Sequence, residues 1–398
     1  MLNSTTRVRN QREAENLISR ILDRYNDAGF PFCRVTPEMI IREDGPPALH
    51  LAIDEGPRIT IDDLLIKNSR RTDQGAARRL ANFKRGLYFS RKNTELAKRR
   101  LMGTGAFEGI TDKILDRDGR YYVMFLLREK DSDFLTLSGS FSGTDLSFGA
   151  ALSSCNILGT LRQLDFDYEY QRLFSFKFRE PVLIAPAQID AEFSILTYDS
   201  ARLTKGHVRF AAPVGAHFKI SLLSGIELTN YYVSDTASRH GSSNLLGVGL
   251  EYDLKGSEWA TVQVLHFDHL FREADRSRFT YDGEFAMMKV VLQAHYRRVA
   301  TSSYEFFDYV RIGGARSLRG YLEDEFTATR ALWLNIEYHR LFIFPMVDIA
   351  RIDREIVFSY GFGMKAKSRI ADASLIIAWP GSGKWLDGKI HLTFARAI

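Results

Sequence analysis

Gln163-Leu164-Asp165-Phe166-Asp167-Tyr168-Glu169-Tyr170 alternates without a break. Successive side chains of an extended chain point to opposite faces. Leu164, Phe166, Tyr168 and Tyr170 therefore share one face, and Gln163, Asp165, Asp167 and Glu169 the other. The pattern recurs downstream. Phe174, Phe176 and Phe178 oppose Ser175, Lys177 and Arg179, and Ile189, Ala191, Phe193 and Ile195 oppose Gln188, Asp190, Glu192 and Ser194. Leu246, Val248, Leu250 and Tyr252 oppose Gly247, Gly249, Glu251 and Asp253. Leu332, Leu334, Ile336 and Tyr338 oppose Trp333, Asn335, Glu337 and His339. Phe358, Tyr360, Phe362 and Met364 oppose Ser359, Gly361, Gly363 and Lys365, and Ile390, Leu392 and Phe394 oppose Lys389, His391 and Thr393.

A soluble sandwich and a membrane barrel both alternate. Three features favour the barrel. The apolar face is rich in Phe and Tyr, with aromatics near the ends of the runs. The runs suit a tilted strand of roughly ten residues crossing hydrocarbon. About sixteen of them fit between 133 and 398, an even number as bacterial barrels require. The predicted fold is a transmembrane antiparallel β-barrel, about sixteen strands, preceded by small α+β domains. Residues 257–271 alternate poorly: Val262 and Val264 fit an apolar face, but His266 and Asp268 do not, which predicts a bulge or a slipped register there.

The totals agree with a membrane-embedded sheet. The chain has 398 residues, a net charge of +5, 28 Phe and 17 Tyr. Its mean hydropathy is only −0.19, and no apolar run reaches the length of a membrane-spanning helix. Cys33 and Cys155 have no CxxC partner and no His at zinc spacing; the sequence leaves a single bridge between them open and favours small buried hydrophobes. Met1-Leu2-Asn3-Ser4-Thr5 lacks the basic and apolar segments of a signal peptide.

Before residue 133 the periodicity is helical. Leu17, Ile18, Ile21, Leu22 and Tyr25 predict a helix over 13–29 that stops at Gly29. Extended stretches follow at Cys33–Arg42 and Ala48–Ile53, joined by Asp44-Gly45-Pro46-Pro47. Glu55-Gly56-Pro57 opens a second segment: a strand over 58–67, helices over 74–83 and 91–102, and strands over 107–115 and 120–128. Ser90 is the expected N-cap of the second helix. Strand–helix–helix–strand–strand is one small α+β module, and 13–55 holds the last three elements of another copy. Thr6–Asn10 offers a strand but no missing helix. The N-terminus thus reads as truncated relative to its own repeat. The predicted organisation is a partial module over 1–56, a complete one over 57–132 and a barrel over 133–398.

No catalytic constellation emerges. There is no HExxH, and Gly381-Ser382-Gly383-Lys384 lacks the first glycine of a phosphate loop and has Trp385 where Ser or Thr is needed. Asp165, Asp167, Glu169, Asp190 and Glu192 read as the wall of a wet lumen. The expectation is a protein that is not an enzyme and needs no cofactor, metal or nucleic acid.

One segment interrupts the strands. Ile312-Gly313-Gly314-Ala315-Arg316-Ser317-Leu318-Arg319-Gly320-Tyr321 puts Arg319 beside a glycine and an aromatic residue at the tip of a long loop between the eleventh and twelfth runs. Together with several other segments it resembles the BamA-like superfamily of outer-membrane assembly and translocation proteins, which includes TamA-type proteins and two-partner secretion exporters. Residues 57–132 resemble that family's POTRA module, with Gly86-Leu87-Tyr88 and Leu101-Met102-Gly103-Thr104-Gly105-Ala106-Phe107 at its characteristic positions. In the barrel, Asn156-Ile157-Leu158-Gly159-Thr160, Arg179-Glu180-Pro181, Val347-Asp348-Ile349-Ala350 and Ser374–Pro380 resemble conserved segments, and Leu318-Arg319-Gly320-Tyr321 resembles the tip of the sixth extracellular loop.

The resemblance implies that Arg319 folds back into the lumen and pairs with Asp348, with Gly320 and Tyr321 completing the tip, Gly313 and Gly314 turning the loop, and Glu337 close enough to join. It also implies a weak lateral seam between the first and last strands, about Asp133–Phe141 with Gly388–Phe394. Ser138, Gly139 and Ser140 suit a thin seam opposite Ile390, Leu392 and Phe394. The implied location is the outer membrane of a Gram-negative cell, with the POTRA modules in the periplasm. The implied function is insertion of β-barrel proteins into that membrane or translocation of proteins across it. A two-partner secretion exporter and, from another class, a passive porin-like channel are the alternatives. The implied partners are unfolded outer-membrane or secreted clients, taken at POTRA strand edges, and outer-membrane lipids; accessory assembly proteins stay open.

Overall fold

A computed structural model describes residues 11–40, 48–142, 145–184, 187–215, 217–234, 237–255, 259–272, 275–340, 342–368 and 371–397. The strand expected at Thr6–Asn10 and the turn at Asp44–Pro47 lie outside the described residues. The chain divides into two compact units, Met1–Lys130 and Asp131–Ile398.

The first unit opens with helix α1 (Gln11–Asp27) and a two-stranded antiparallel sheet of β1 (Arg34–Ile40) and β2 (Ala48–Asp54). Then come β3 (Thr60–Lys67), α2 (Gln74–Ala81), β4 (Leu87–Tyr88), α3 (Arg91–Met102), β5 (Phe107–Arg117) and β6 (Arg120–Glu129). The sheet order is β4-β3-β6-β5, with β3 and β6 parallel. Ile61, Leu64 and Ile66 of β3 and Val123, Phe125 and Leu127 of β6 are buried, as are Ala77 and Leu80 of α2 and Ala97 and Leu101 of α3. Two apolar helix faces and one sheet face thus account for the core.

The caps explain where the helices stop. Asp73 accepts from the Ala76 N–H at 2.7 Å to start α2, and Ser90 accepts from the Asn93 N–H at 3.2 Å to start α3. Asn82 takes a left-handed conformation, φ 47°, and ends α2 at Ala81, short of the Phe83 expected from periodicity. The two-residue β4, paired to Thr60 and Ile61, was too short to leave a periodic signal.

Glu129, the last residue of β6, accepts the backbone N–H groups of Arg70 at 3.0 Å, Arg71 at 3.1 Å and Thr72 at 2.9 Å. Burial alone pushes a carboxyl up, but the Thr72 hydroxyl and these amides outweigh it and hold Glu129 below its ordinary value. A depressed carboxyl stabilises the fold above its unfolded pKa, and that contribution is lost as pH falls through the lower folded value. Glu129→Gln is therefore expected to cost about 1–2 kcal/mol near neutrality and to remove part of the acid sensitivity. Amide exchange at Arg70–Thr72 checks this: equal exchange in both proteins at pH 7 would contradict it.

The second unit is a closed barrel of sixteen antiparallel strands. The first four are Asp133–Ser142, Asp145–Ser154, Gln163–Glu169 and Leu173–Ile184. Ala187–Tyr198, Ala201–Val214, Phe218–Ser234 and Ala237–Lys255 continue, then Trp259–Phe271, Arg276–Met287 and Val290–Thr301. After the long loop come Arg330–Tyr338, Ile343–Ile352, Glu355–Lys367, Asp372–Pro380 and Lys389–Ala397. The last strand pairs with the first from Phe134↔Ala397 to Phe141↔Ile390 without a shift, which closes the cylinder. Closure removes the unpaired edges that an open sheet would expose.

Alternation sorts the side chains as expected. Leu332, Val347, Ile349, Phe358, Tyr360 and Leu392 lie exposed on the outer face, while Asn335, Asp348, Ser359 and His391 are buried on the inner one. Neither a bulge nor a slipped register is found among the described residues 259–271. Trp259–Phe271 pairs in continuous register with both neighbours, from Lys255↔Ala260 to Asn244↔Phe271 on one side and from Trp259↔Met287 to Leu270↔Arg276 on the other. The pattern is irregular for a different reason. Val262 and Val264 share the inner face with His266 and Asp268, and Gln263 stands on the outer face, where its side-chain oxygen accepts from the Tyr281 hydroxyl. A wet wall tolerates a valine, so polarity reports facing less strictly on that side than on the lipid side.

Candidate functional site: a loop tip bound to the inner wall

The loop between the eleventh and twelfth strands is organised by a short pairing of Val310–Ile312 with Phe326–Ala328. Gly313 (φ 133°) and Gly314 (φ 83°) turn the chain beyond it, a geometry that residues with a Cβ rarely adopt. Ser317 ties the turn: its hydroxyl accepts from the Gly313 N–H at 2.8 Å and donates to the Gly313 carbonyl at 2.9 Å. Leu318 is fully buried and belongs to an apolar cluster with Ile312, Ala331, Trp333, Ala350 and Ile352. Arg319 is thereby presented inside the barrel.

Arg319 and Asp348 meet there. The Arg319 backbone N–H and Nε both donate to Asp348 Oδ2 at 3.0 Å, and Nη2 reaches Oδ1 at 2.5 Å. The remaining fork arm, Nη1, is ion-paired with Glu337 Oε1. Asp348 is 0% exposed and Arg319 only 5%. A planar guanidinium matches a carboxylate with two parallel bonds, which a point-charge lysine cannot do. Glu337 Oε2 also meets His339 Nε2 at 2.8 Å and Lys365 Nζ at 3.7 Å.

The structure adds residues that periodicity and motif did not single out. Asn335 Nδ2 donates to Asp348 Oδ1 at 2.7 Å and to the Ser317 carbonyl at 2.6 Å, and the Ser359 hydroxyl donates to Asp348 Oδ2 at 3.2 Å. Gly320 lies so close to the wall that a Cβ would stand 2.5 Å from the Trp379 carbonyl carbon and 2.7 Å from Ser359 Cβ. The Tyr321 hydroxyl donates to the Phe358 carbonyl at 3.0 Å. The tip therefore engages the twelfth to fifteenth strands in succession.

His391 extends this to the sixteenth strand and across to the first. Its Nε2 lies 2.8 Å from the Arg319 carbonyl oxygen, and its Nδ1 3.0 Å from the Ser140 hydroxyl. The carbonyl can only accept, so Nε2 carries the proton and Nδ1 receives the Ser140 hydroxyl. Ser140 and His391 are opposite partners in the strand pairing, with Ser138 opposite Thr393, Gly139 opposite Leu392, Phe141 opposite Ile390 and Leu137 opposite Phe394. The junction thus contains the expected residues, but it is continuously paired, and its inner side is tied to the loop tip through one imidazole. Replacing His391 with Leu is expected to speed amide exchange at Ser138–Phe141 roughly tenfold, the loss of about one net hydrogen bond, while Gln should restore part of the protection. Unchanged exchange in His391→Leu would contradict that link.

Acidic residues on both flanks of the loop are pinned as well. Glu305 accepts from the Tyr231 hydroxyl at 3.0 Å and is ion-paired with Arg272, while the fully buried Asp308 is ion-paired with Arg276. Asp324 meets Arg172 Nη2 at 2.7 Å and the Tyr198 hydroxyl at 2.5 Å, and Glu323 meets Arg172 at 3.0 Å. The loop is anchored at three separated places around the inner circumference. Arg316 is exposed and has no ion pair among the described residues.

The fold, a sixteen-stranded closed antiparallel barrel that follows small α+β modules, is similar to that of BamA and CdiB chains. The chain superposes on BamA from Haemophilus ducreyi lacking POTRA domains 1-3 with a TM-score of 0.57, at 14% identity, over 99% of this chain and 95% of that one. It superposes on CdiB from Acinetobacter baumannii with a TM-score of 0.60, at 10% identity, over 97% and 82% of the two chains. For CdiB from Escherichia coli the values are 0.59, 13%, 98% and 85%. At these identities the likeness is one of fold. No family model matches the chain, and no curated protein sequence matches it.

Proposed function

We propose that the chain is an outer-membrane β-barrel, with its α+β unit in the periplasm, that moves unfolded protein across or into the outer membrane. The observation that carries this reading is the arginine-tipped loop bound inside a closed barrel, in a chain that also holds a strand–helix–helix–strand–strand unit. A passive diffusion channel has no use for that unit.

Clients would be taken as an added strand on a free sheet edge of the periplasmic unit, where main-chain bonds give affinity without demanding one sequence. In the order β4-β3-β6-β5, β5 leaves such an edge. The junction of the first and last strands, with Ser138, Gly139 and Ser140 against Leu392 and its neighbours, is the place where the wall would part. Arg319, Gly320, Tyr321, Asp348 and Glu337 act here as a latch that holds the loop against the wall next to that junction.

Two forms of the activity fit: insertion of barrel proteins, and export of one dedicated partner. The two CdiB likenesses weigh toward export. Depleting the protein and quantifying the outer-membrane and secreted proteins tests the choice. Loss of one secreted protein with an unchanged outer-membrane profile is the expected result. A general fall in outer-membrane proteins would assign the insertion role instead, and no change in either fraction would remove both.

A further inference from the structure

The outer face of the eleventh to thirteenth strands carries a row of arginines at the rim where the loop enters. Arg298 and Arg330 are direct partners across the eleventh and twelfth strands. Arg351 stands opposite Leu332 on the thirteenth, one step along the same face. Arg354 follows in the adjoining turn, and all four are exposed. Like charges set directly opposite one another destabilise a sheet unless something neutral or negative lies between them.

Among the described residues no carboxylate is ion-paired with this row. Among the described residues none of the four arginines makes an ion pair or a side-chain hydrogen bond to protein. The nearest carboxylate in sequence, Asp353, already accepts from Thr329 N at 3.3 Å, Thr329 Oγ1 at 3.0 Å and Arg330 N at 3.1 Å. Glu355 is partnered with Ile352, whose side chain is buried on the inner side, so it stands on the opposite face from the arginine row. Arg298, Arg330 and Arg354 line an open groove of about 610 Å³ together with Tyr304, Asp353 and Glu355. Next along the barrel, on the same face, come the exposed apolar side chains of Leu332, Ile349 and Ile356. Cation, groove and apolar strip together have the layout of an amphiphile.

We propose that this row binds the phosphate of a lipid in the leaflet on the loop side of the membrane, with the acyl chains lying over Leu332, Ile349 and Ile356. Arg298 and Arg330 are opposite partners on one face, and the planar fork of each can meet a tetrahedral anion with two parallel bonds. The binding relieves the repulsion between them. It rests on the reading of the barrel as membrane-embedded and adds the chemistry of the lipid it selects.

The test uses the full chain in mixed micelles, with bound lipid counted by native mass spectrometry. Phosphatidic acid is compared with phosphatidylcholine of the same acyl chains, and inorganic phosphate serves as competitor. The wild type is expected to prefer phosphatidic acid by roughly tenfold or more, the contribution of two interfacial arginines. Arg298→Gln/Arg330→Gln should abolish the preference, Arg298→Lys/Arg330→Lys should keep part of it, and Arg340→Gln, on the opposite rim, should leave it intact. Heat-modifiable migration in gels verifies that each variant is folded; if the glutamine pair is not, the lysine pair and Arg354→Gln carry the comparison. Equal binding of the two lipids, or a preference that survives Arg298→Gln/Arg330→Gln, overturns the site. Displacement of the lipid by equimolar inorganic phosphate shows a free-anion site and overturns the lipid assignment. Binding of neither lipid by the folded wild type overturns the membrane reading itself.

Discussion

Asp348→Ala is expected to destabilise the barrel by about 3–5 kcal/mol, the range for removing one partner of a buried ion pair. Asp348 accepts from Arg319 N, Nε and Nη2, from Asn335 Nδ2 and from the Ser359 hydroxyl, and its removal strands all of these donors together. Arg319→Ala should cost less, because the backbone N–H of residue 319 can still reach the carboxylate and Asn335 and Ser359 still serve it. The double variant should cost little more than Asp348→Ala, because most of what Arg319 contributes is spent on that carboxylate; the coupling should reach about 2–3 kcal/mol, within the range of contacting pairs. Urea unfolding of the refolded protein in micelles, followed by gel mobility, measures all three. Additive losses would mean that the two side chains act independently in solution.

Gly320→Ala is the second large effect. Its Cβ would stand 2.5 Å from the Trp379 carbonyl carbon and 2.6 Å from its oxygen, and these are backbone atoms. They cannot retreat without disturbing the pairing of Tyr360 with Trp379 and of Ser359 with Pro380. The loop tip must move instead, and Arg319 moves with it. One added methyl is therefore expected to cost as much as losing the arginine, about 3 kcal/mol or more, since it combines overpacking with a broken buried pair. Gly320→Ala combined with Arg319→Ala should add little to either alone. Limited proteolysis reads the same event: the loop of Gly320→Ala should be cut at protease concentrations that spare the wild type. A wild-type urea midpoint together with wild-type protease resistance would show that the tip does not sit this close to the wall.

The strands were legible because the two faces of a membrane barrel meet different solvents. Phe166 and Asp167 must face opposite ways, and the order of residues says so. The signal weakened at Val262 and Val264, where the inner face carried apolar side chains, and an unbroken strand looked like a bulged one. The helices were legible to within their caps; α2 ended early because Asn82 adopts the left-handed turn. Arg319 was conspicuous from its glycines, but Asp348 as its partner came only through the family resemblance. Nothing local marks Asn335, Ser359 or His391. Each is one polar residue in an alternating run, and His391 lies 72 positions from the residue whose carbonyl it meets. Such contacts are made by closure of the sheet, which brings the sixteenth strand beside the first and its His391 against both Ser140 and the loop. The acidic anchors Glu305, Asp308, Glu323 and Asp324 escaped for the same reason, since their basic partners belong to the third to the tenth strands and the hairpins between them.

The most direct test of the central claim is complementation by latch variants. Cells depleted of the native protein receive the wild type, Arg319→Ala or Arg319→Lys, each matched for the amount of folded barrel in the outer membrane. The level of the secreted partner or of outer-membrane proteins is then measured. The wild type should restore it and Arg319→Ala should not, although it is folded and in place, while Arg319→Lys, with one point charge in place of a fork, should restore only a part. Full restoration by Arg319→Ala would show that the latch holds the loop without serving the passage of protein.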